Sequence, residues 1–125
     1  MSQMKKSKQI SIKSLVIHYT AKGVLGLKTT YLHDGKDLVL SHVTKTKDAV
    51  KVKILLEDDE TIKSIKGYSE KWIHKLIIKT STGWLFEAGE MQGEEFKIKV
   101  PKGKFPVAFC GGVSTHLDNL GCYFR

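Results

Sequence analysis

Apolar residues along this chain recur mostly at every second position, in short runs. Ile10 and Ile12, then Leu15, Ile17 and Tyr19, read as one strand with a slip or bulge in the middle. Ala21 to Gly26 reads as a turn region, followed by a strand over Leu27 to Leu32. His33-Asp34-Gly35-Lys36 closes that strand, and Asp-Gly is a strong hairpin signal. Leu38-Val39-Leu40 pairs back, and residues 41–49 read as a loop. Val50, Val52, Ile54 and Leu56 alternate with Lys51, Lys53 and Leu55, the pattern of a half-buried strand.

Beyond an acidic turn at Glu57-Asp58-Asp59-Glu60, Ile62 and Ile65 mark a strand ending at Gly67-Tyr68-Ser69. Trp72 to Lys79 is apolar and β-branched, and Ser81-Thr82-Gly83 turns it into Trp84-Leu85-Phe86. Residues 88–93 form a polar, glycine-containing link to Phe96, Ile98 and Val100. Pro101 to Lys104 is a turn, and Phe105–Cys110 and Leu120–Arg125 are the last strands. The pattern predicts about ten short strands with turns every 8–12 residues and no amphipathic helix, hence a sandwich, barrel or prism.

Length makes this one domain, for 125 residues bury roughly two-thirds of their unfolded surface without staples. Residues 1–9 are basic, polar and without periodicity, and read as a disordered tail ahead of a domain over 10–125. No apolar run reaches the ~18 residues of a membrane span, and no secretory segment follows Met1. The chain as given reads as cytoplasmic, with secretion or surface display expected if it is a fragment of a longer protein. Cys110 and Cys122 then read as reduced, small apolar core residues, with a bridge between them as the alternative if their strands are neighbours.

Charge changes the picture more. Lys and Arg number 21 against 13 Asp and Glu, a net charge of +8, yet Arg125 is the only arginine. A nucleic-acid reader relies on the planar, bidentate arginine fork, so no nucleic-acid partner is expected. The lysines are spread out and alternate with apolar residues, as on the solvated face of strands. Adhesion of that face to an anionic lipid or other polyanion is the alternative.

Catalytic signals are weak, and the chain is not expected to be an enzyme. No zinc spacing, phosphate loop or dinucleotide motif occurs, and no cofactor is implied. Ser114, His116 and Asp118 lie too close in sequence to face one another as a triad, whose members come from separate elements. His18, His33, His42 and His74 are scattered. The acidic run at 57–60 lacks the spaced oxygen ligands and glycine of a calcium loop, and reads as a solvated turn.

Several segments resemble, in order, those of the jacalin-related lectins. Tyr31 to Lys36 is similar to that family's Tyr-x-x-x-Gly-Lys hairpin. Val52 to Leu56 and Glu60 to Ser69 resemble its strand ending in a Gly-Tyr loop. Ile73 to Thr80 with Gly83, Gly89 to Phe96, and Phe109 to Gly121 resemble later strands and the closing segment. The resemblance spans most of residues 10–125. It implies an all-β fold, the β-prism I, in which three four-stranded antiparallel Greek-key sheets surround a pseudo-threefold axis.

It also implies a non-catalytic carbohydrate-binding module, for mannose- or glucose-type glycans or glycoproteins. The family's sugar loop falls on Ser114-Thr115-His116-Leu117-Asp118, with serine in place of its glycine. Asp118 can accept from sugar hydroxyls, and the N–H groups of Thr115, His116 and Leu117 can donate. Asp118 could instead brace its own loop. Tyr68 and Ser69, from the Gly-Tyr loop, would supply an aromatic wall. The family's N-terminal Gly-Gly loop has no counterpart, since residues 1–9 contain no glycine. That departure favours a rival reading, a β-prism protein-interaction domain that has lost sugar binding. Weak single sites would gain avidity from a homo-oligomer.

Overall fold

A computed structural model describes residues 10–43, 48–57, 59–101, 103–104, 106–113 and 116–124. The basic tail read at 1–9 lies outside them. Among the described residues there are ten strands and no helix. The first sheet joins β1 (Ile10–Thr20), β2 (Gly23–His33), β3 (Lys36–Val43) and β4 (Val50–Leu55) in the order β3-β2-β1-β4. The second joins β5 (Ile62–Ser69), β6 (Ile73–Thr80), β7 (Leu85–Gly89) and β8 (Glu94–Ile98) in the order β7-β6-β5-β8. Both are antiparallel Greek keys, three consecutive strands with a fourth returning beside the first. One topological unit is thus used twice. β9 (Pro106–Cys110) and β10 (Gly121–Phe124) form a third, two-stranded sheet among the described residues, where four strands were expected.

The slip read in the first strand is a bulge. The β1–β2 register shifts between Ile12 and Ser14, so Lys13 is extra and the inward set changes parity. Ile12, Leu15 and Ile17 are therefore all buried despite their uneven spacing. Burying one such side chain contributes about 1.5–3 kcal/mol, more than the ~1 kcal/mol of a strand hydrogen bond. The core wins, and the ladder yields one residue. At the β2–β3 hairpin, Asp34 and Gly35 take φ of 53° and 76°, the two positive values a type I′ turn needs.

Four local readings change. Residues 23–26 are strand rather than turn, with Val24 and Leu25 buried. The glycines there serve close packing: a Cβ on Gly26 would stand 1.9 Å from the His42 carbonyl oxygen. β3 continues through Val43, beyond the expected Leu40. Gly67-Tyr68-Ser69 is the end of β5, not a loop, and Gly67 is small because the Phe96 ring lies across it, 2.5 Å from where a Cβ would be. The acidic turn at 57–60 is not uniformly solvated. Glu60 is buried and accepts from the hydroxyls of Thr80, at 2.6 Å, and Thr82. Those bonds hold its carboxyl below the usual range, and its other oxygen takes the Glu57 N–H. The carboxylate ties this turn to the β6–β7 turn.

All three sheets feed one core. Leu15, Ile17, Leu27 and Ile54 come from the first, Ile65, Leu76 and Ile78 from the second, and Phe109 from β9. The hydroxyl of Tyr31, itself buried, accepts the Phe109 N–H at 3.0 Å and locks β2 to β9. Cys122 packs against this core.

Candidate functional site

Between β9 and β10 lies a closing loop, of which residues 111–113 and 116–120 are described. Its start is a pair of glycines because the returning chain passes against it. A Cβ on Gly111 would lie 2.4 Å from the Asn119 carbonyl oxygen. Asn119 braces the loop through its side chain, with Oδ1 accepting the Gly112 N–H at 2.9 Å. The Asp118 N–H donates to the Gly112 carbonyl at 2.8 Å, and Val113 and Leu117 form an isolated antiparallel bridge.

Both four-stranded sheets hold this loop in place. Leu117 is fully buried, its N–H donates to the Val24 carbonyl at 2.9 Å, and its carbonyl accepts the Ile73 N–H at 2.8 Å. The first bond reaches the first sheet and the second reaches the second. Trp72, in the turn between β5 and β6, lays its indole on the His116 imidazole with centroids 4.2 Å apart and planes at 7°. The same indole donates its N–H to the Lys22 carbonyl at 2.8 Å. The loop is thus preorganised by both Greek keys.

Its electrostatics follow from this packing. Burial chiefly pushes the His116 pKa down, His74 and Lys22 add to that, and the Asp118 carboxylate opposes it. Neutral imidazole is the form favoured against the indole at neutral pH. Asp118 is exposed at the rim of the loop, one residue beyond the buried Leu117.

Of the residues marked out from sequence, His116, Leu117 and Asp118 come together here. Ser114 and Thr115 lie outside the described residues. Leu117 serves as a core anchor whose N–H is already committed, so it is not the ligand donor expected. Tyr68 is engaged elsewhere. Its hydroxyl donates to Glu95 at 3.2 Å on the outer face of the second sheet, where it neighbours Lys75 across β6. Ser69 ends β5, opposite Ile73 and Glu94. The aromatic ring brought to the loop is Trp72. In the sequence its position reads as the start of a strand. An indole beside the polar Glu70-Lys71 turn was the available signal.

The sequence pattern of the jacalin-like lectin domain matches residues 2–123. The chain belongs to this family. Its fold is the jacalin-type β-prism, shared with solved lectins at low sequence identity. Artocarpin, solved with mannotriose, is 23% identical with a TM-score of 0.84, over 92% of this chain and 83% of that one. The lectin MPA, solved with the T-antigen disaccharide, is 26% identical with a TM-score of 0.82, over 91% of each chain. Frutalin from Artocarpus incisa, solved with galactose, is 21% identical with a TM-score of 0.83, over 92% of each. No curated protein matches the chain. This jacalin-like domain carries a lectin fold, and its closing loop lies between β9 and β10.

Proposed function

We propose that this jacalin-like domain is a non-catalytic lectin that binds mannose- or glucose-type glycans at the closing loop. The observation that carries the reading is the placing of an exposed carboxylate next to an aromatic stack. Asp118 is exposed, one residue beyond the buried Leu117 and two beyond His116, whose ring lies on Trp72. A rim carboxylate accepts from two adjacent sugar hydroxyls in charge-assisted bonds. The Trp72–His116 pair beside it offers an apolar wall for a sugar face.

Fewer backbone donors are offered than the sequence implied, because the Leu117 N–H is taken. Affinity for a single sugar is accordingly weak, and glycoprotein binding rests on multivalency. The preference for mannose or glucose rests on the resemblance of the loop alone, since the similar lectins were solved with mannose- and galactose-containing ligands.

Calorimetric titration with the methyl α-glycosides of mannose, glucose and galactose tests this. Binding of the first two, abolished by Asp118→Asn in a variant with an unchanged melting curve, is the expected result. Binding that survives Asp118→Asn, or a glycan array with no ligand at all, removes the reading.

A further inference from the structure

The two Greek keys share one strand order but treat surface charge in opposite ways. On the outer face of the second sheet, three lysines are matched by glutamates, while Lys79, opposite Ser64 and Leu85, is not matched among the described residues. Lys66 and Lys97 flank Glu95 at 3.0 and 3.8 Å, and Lys75 meets Glu87 at 3.2 Å. On the outer face of the first sheet, register places Lys28 and Lys53 on either side of Val16, and Lys51 directly beside His18. The next positions out on β3, Ser41 and Val43, complete those two rows. None of the outward positions in these rows carries a carboxylate. Asp37, further along, is engaged by Lys13 at 3.1 Å.

Adjacent strands lie about 4.8 Å apart and alternate residues about 7 Å apart, so these three lysines share a patch on the order of 10 Å across. Lys51 and Lys53, about 7 Å apart on one strand, lie within one Debye length at physiological salt and repel one another. Unmatched like charges this close cost stability, and the ion pairs of the second sheet show how this fold can remove that cost. His18 senses the patch. Burial, then Lys51 and Lys28, depress its pKa.

We infer that the outer face of the first sheet, centred on Lys28, Lys51 and Lys53, docks on an anionic lipid bilayer. Charge complementarity calls for an anionic partner, and the flanking row narrows the choice. Next to the cationic rows, the outward side chains of Val39 and Leu55 are 49% and 64% exposed. Cations bordered by protruding apolar side chains suit a headgroup layer over acyl chains. A sulfated polysaccharide offers nothing to Leu55. This face is distinct from the closing loop, so lipid and glycan can be held together.

The test is co-sedimentation with vesicles of phosphatidylcholine alone, or three parts phosphatidylcholine to one part phosphatidylserine. The native chain should sediment with the serine-containing vesicles only, and come off in about 0.5 M salt. The triple variant Lys28→Glu, Lys51→Glu, Lys53→Glu should bind at least about a hundredfold more weakly, about a factor of five for each lysine charge lost and more for the glutamate charge gained. An equal charge change elsewhere, Lys63→Glu, Lys79→Glu, Lys104→Glu, should stay within about threefold of native if the patch rather than net charge is read. Melting curves check each variant. Should the Glu triple fail to fold, the corresponding Gln triple, which removes the charge without reversing it, should bind roughly a hundredfold more weakly than native. Equal weakening by both triples, equal binding to pure phosphatidylcholine, release by saturating methyl mannoside, or capture of dextran sulfate without the serine vesicles would each overturn the inference.

Discussion

The indole of Trp72 lies flat on the imidazole of His116, centroids 4.2 Å apart, and joins the β5–β6 turn to the closing loop. Its N–H reaches a third segment at the Lys22 carbonyl. One side chain therefore links both Greek keys to the loop. Trp72→Phe keeps a stacking ring but loses the indole bond, and should cost about 1 kcal/mol. Trp72→Ala loses both and should cost about 3 kcal/mol, the low end for Trp→Ala because the ring is only partly buried. Urea denaturation measures both, and an unshifted midpoint for Trp72→Ala would show that the stack holds nothing together.

Stability should fall on mild acidification. His18 and His116 both have pKa values lowered from 6.5 by burial and neighbouring charge. Between the unfolded and folded values the unfolded chain binds more protons, so stability declines as pH drops below about 6.5. Above that pH neither group contributes. Thermal midpoints should fall between about pH 7.5 and about pH 5.5, and less so in the His18→Gln, His116→Gln double variant. A native profile flat over this range is the contrary result.

Glu60 should add a separate, more acidic step. Its carboxyl is lowered from 4.5 by the Thr80 and Thr82 hydroxyls and then the Glu57 N–H. That stabilisation is complete above the unfolded value and is lost as pH falls through the folded one. Glu60→Gln weakens charge-assisted bonds and should cost about 2 kcal/mol at neutral pH, by chemical denaturation. It should also erase this step, and a step that persists in the variant belongs to another group.

Glycine positions should divide sharply. At Gly26 an added Cβ meets the His42 carbonyl at 1.9 Å with φ at 152°, whereas at Gly35 nothing lies within 4 Å and φ is 76°. Gly35→Ala carries only left-handed strain, about 1–2 kcal/mol. Gly26→Ala must also push β3 away from β2 and should cost more than about 3 kcal/mol. Similar melting temperatures for the two variants would contradict the packing described.

Much of the fold was readable because it is local. Alternation marked the strands, Asp34-Gly35 the hairpin, and the uneven step from Ile12 to Leu15 the bulge. Errors gathered where a residue served a distant contact. Gly23 and Gly26 read as a turn because glycine's commonest use is conformational, whereas these two accommodate Trp72 and β3. Glu60 read as solvated because its threonine partners lie on a later turn.

The candidate site divides the same way. The order of motifs along the chain was enough to mark out the closing loop and Asp118. Which ring stands beside that loop was not, since Tyr68 and Trp72 are near neighbours in sequence and only strand pairing sends one to Glu95 and the other to His116.

By itself, then, the amino-acid order determined an all-β chain, most of its turns and the solvated lysine positions along its strands. The tertiary structure decided which loops meet, which lysines find glutamates and which do not. Those outcomes depend on the fourth strand of each Greek key returning beside the first. That pairing is driven by core burial across long stretches of chain, and no local pattern encodes it.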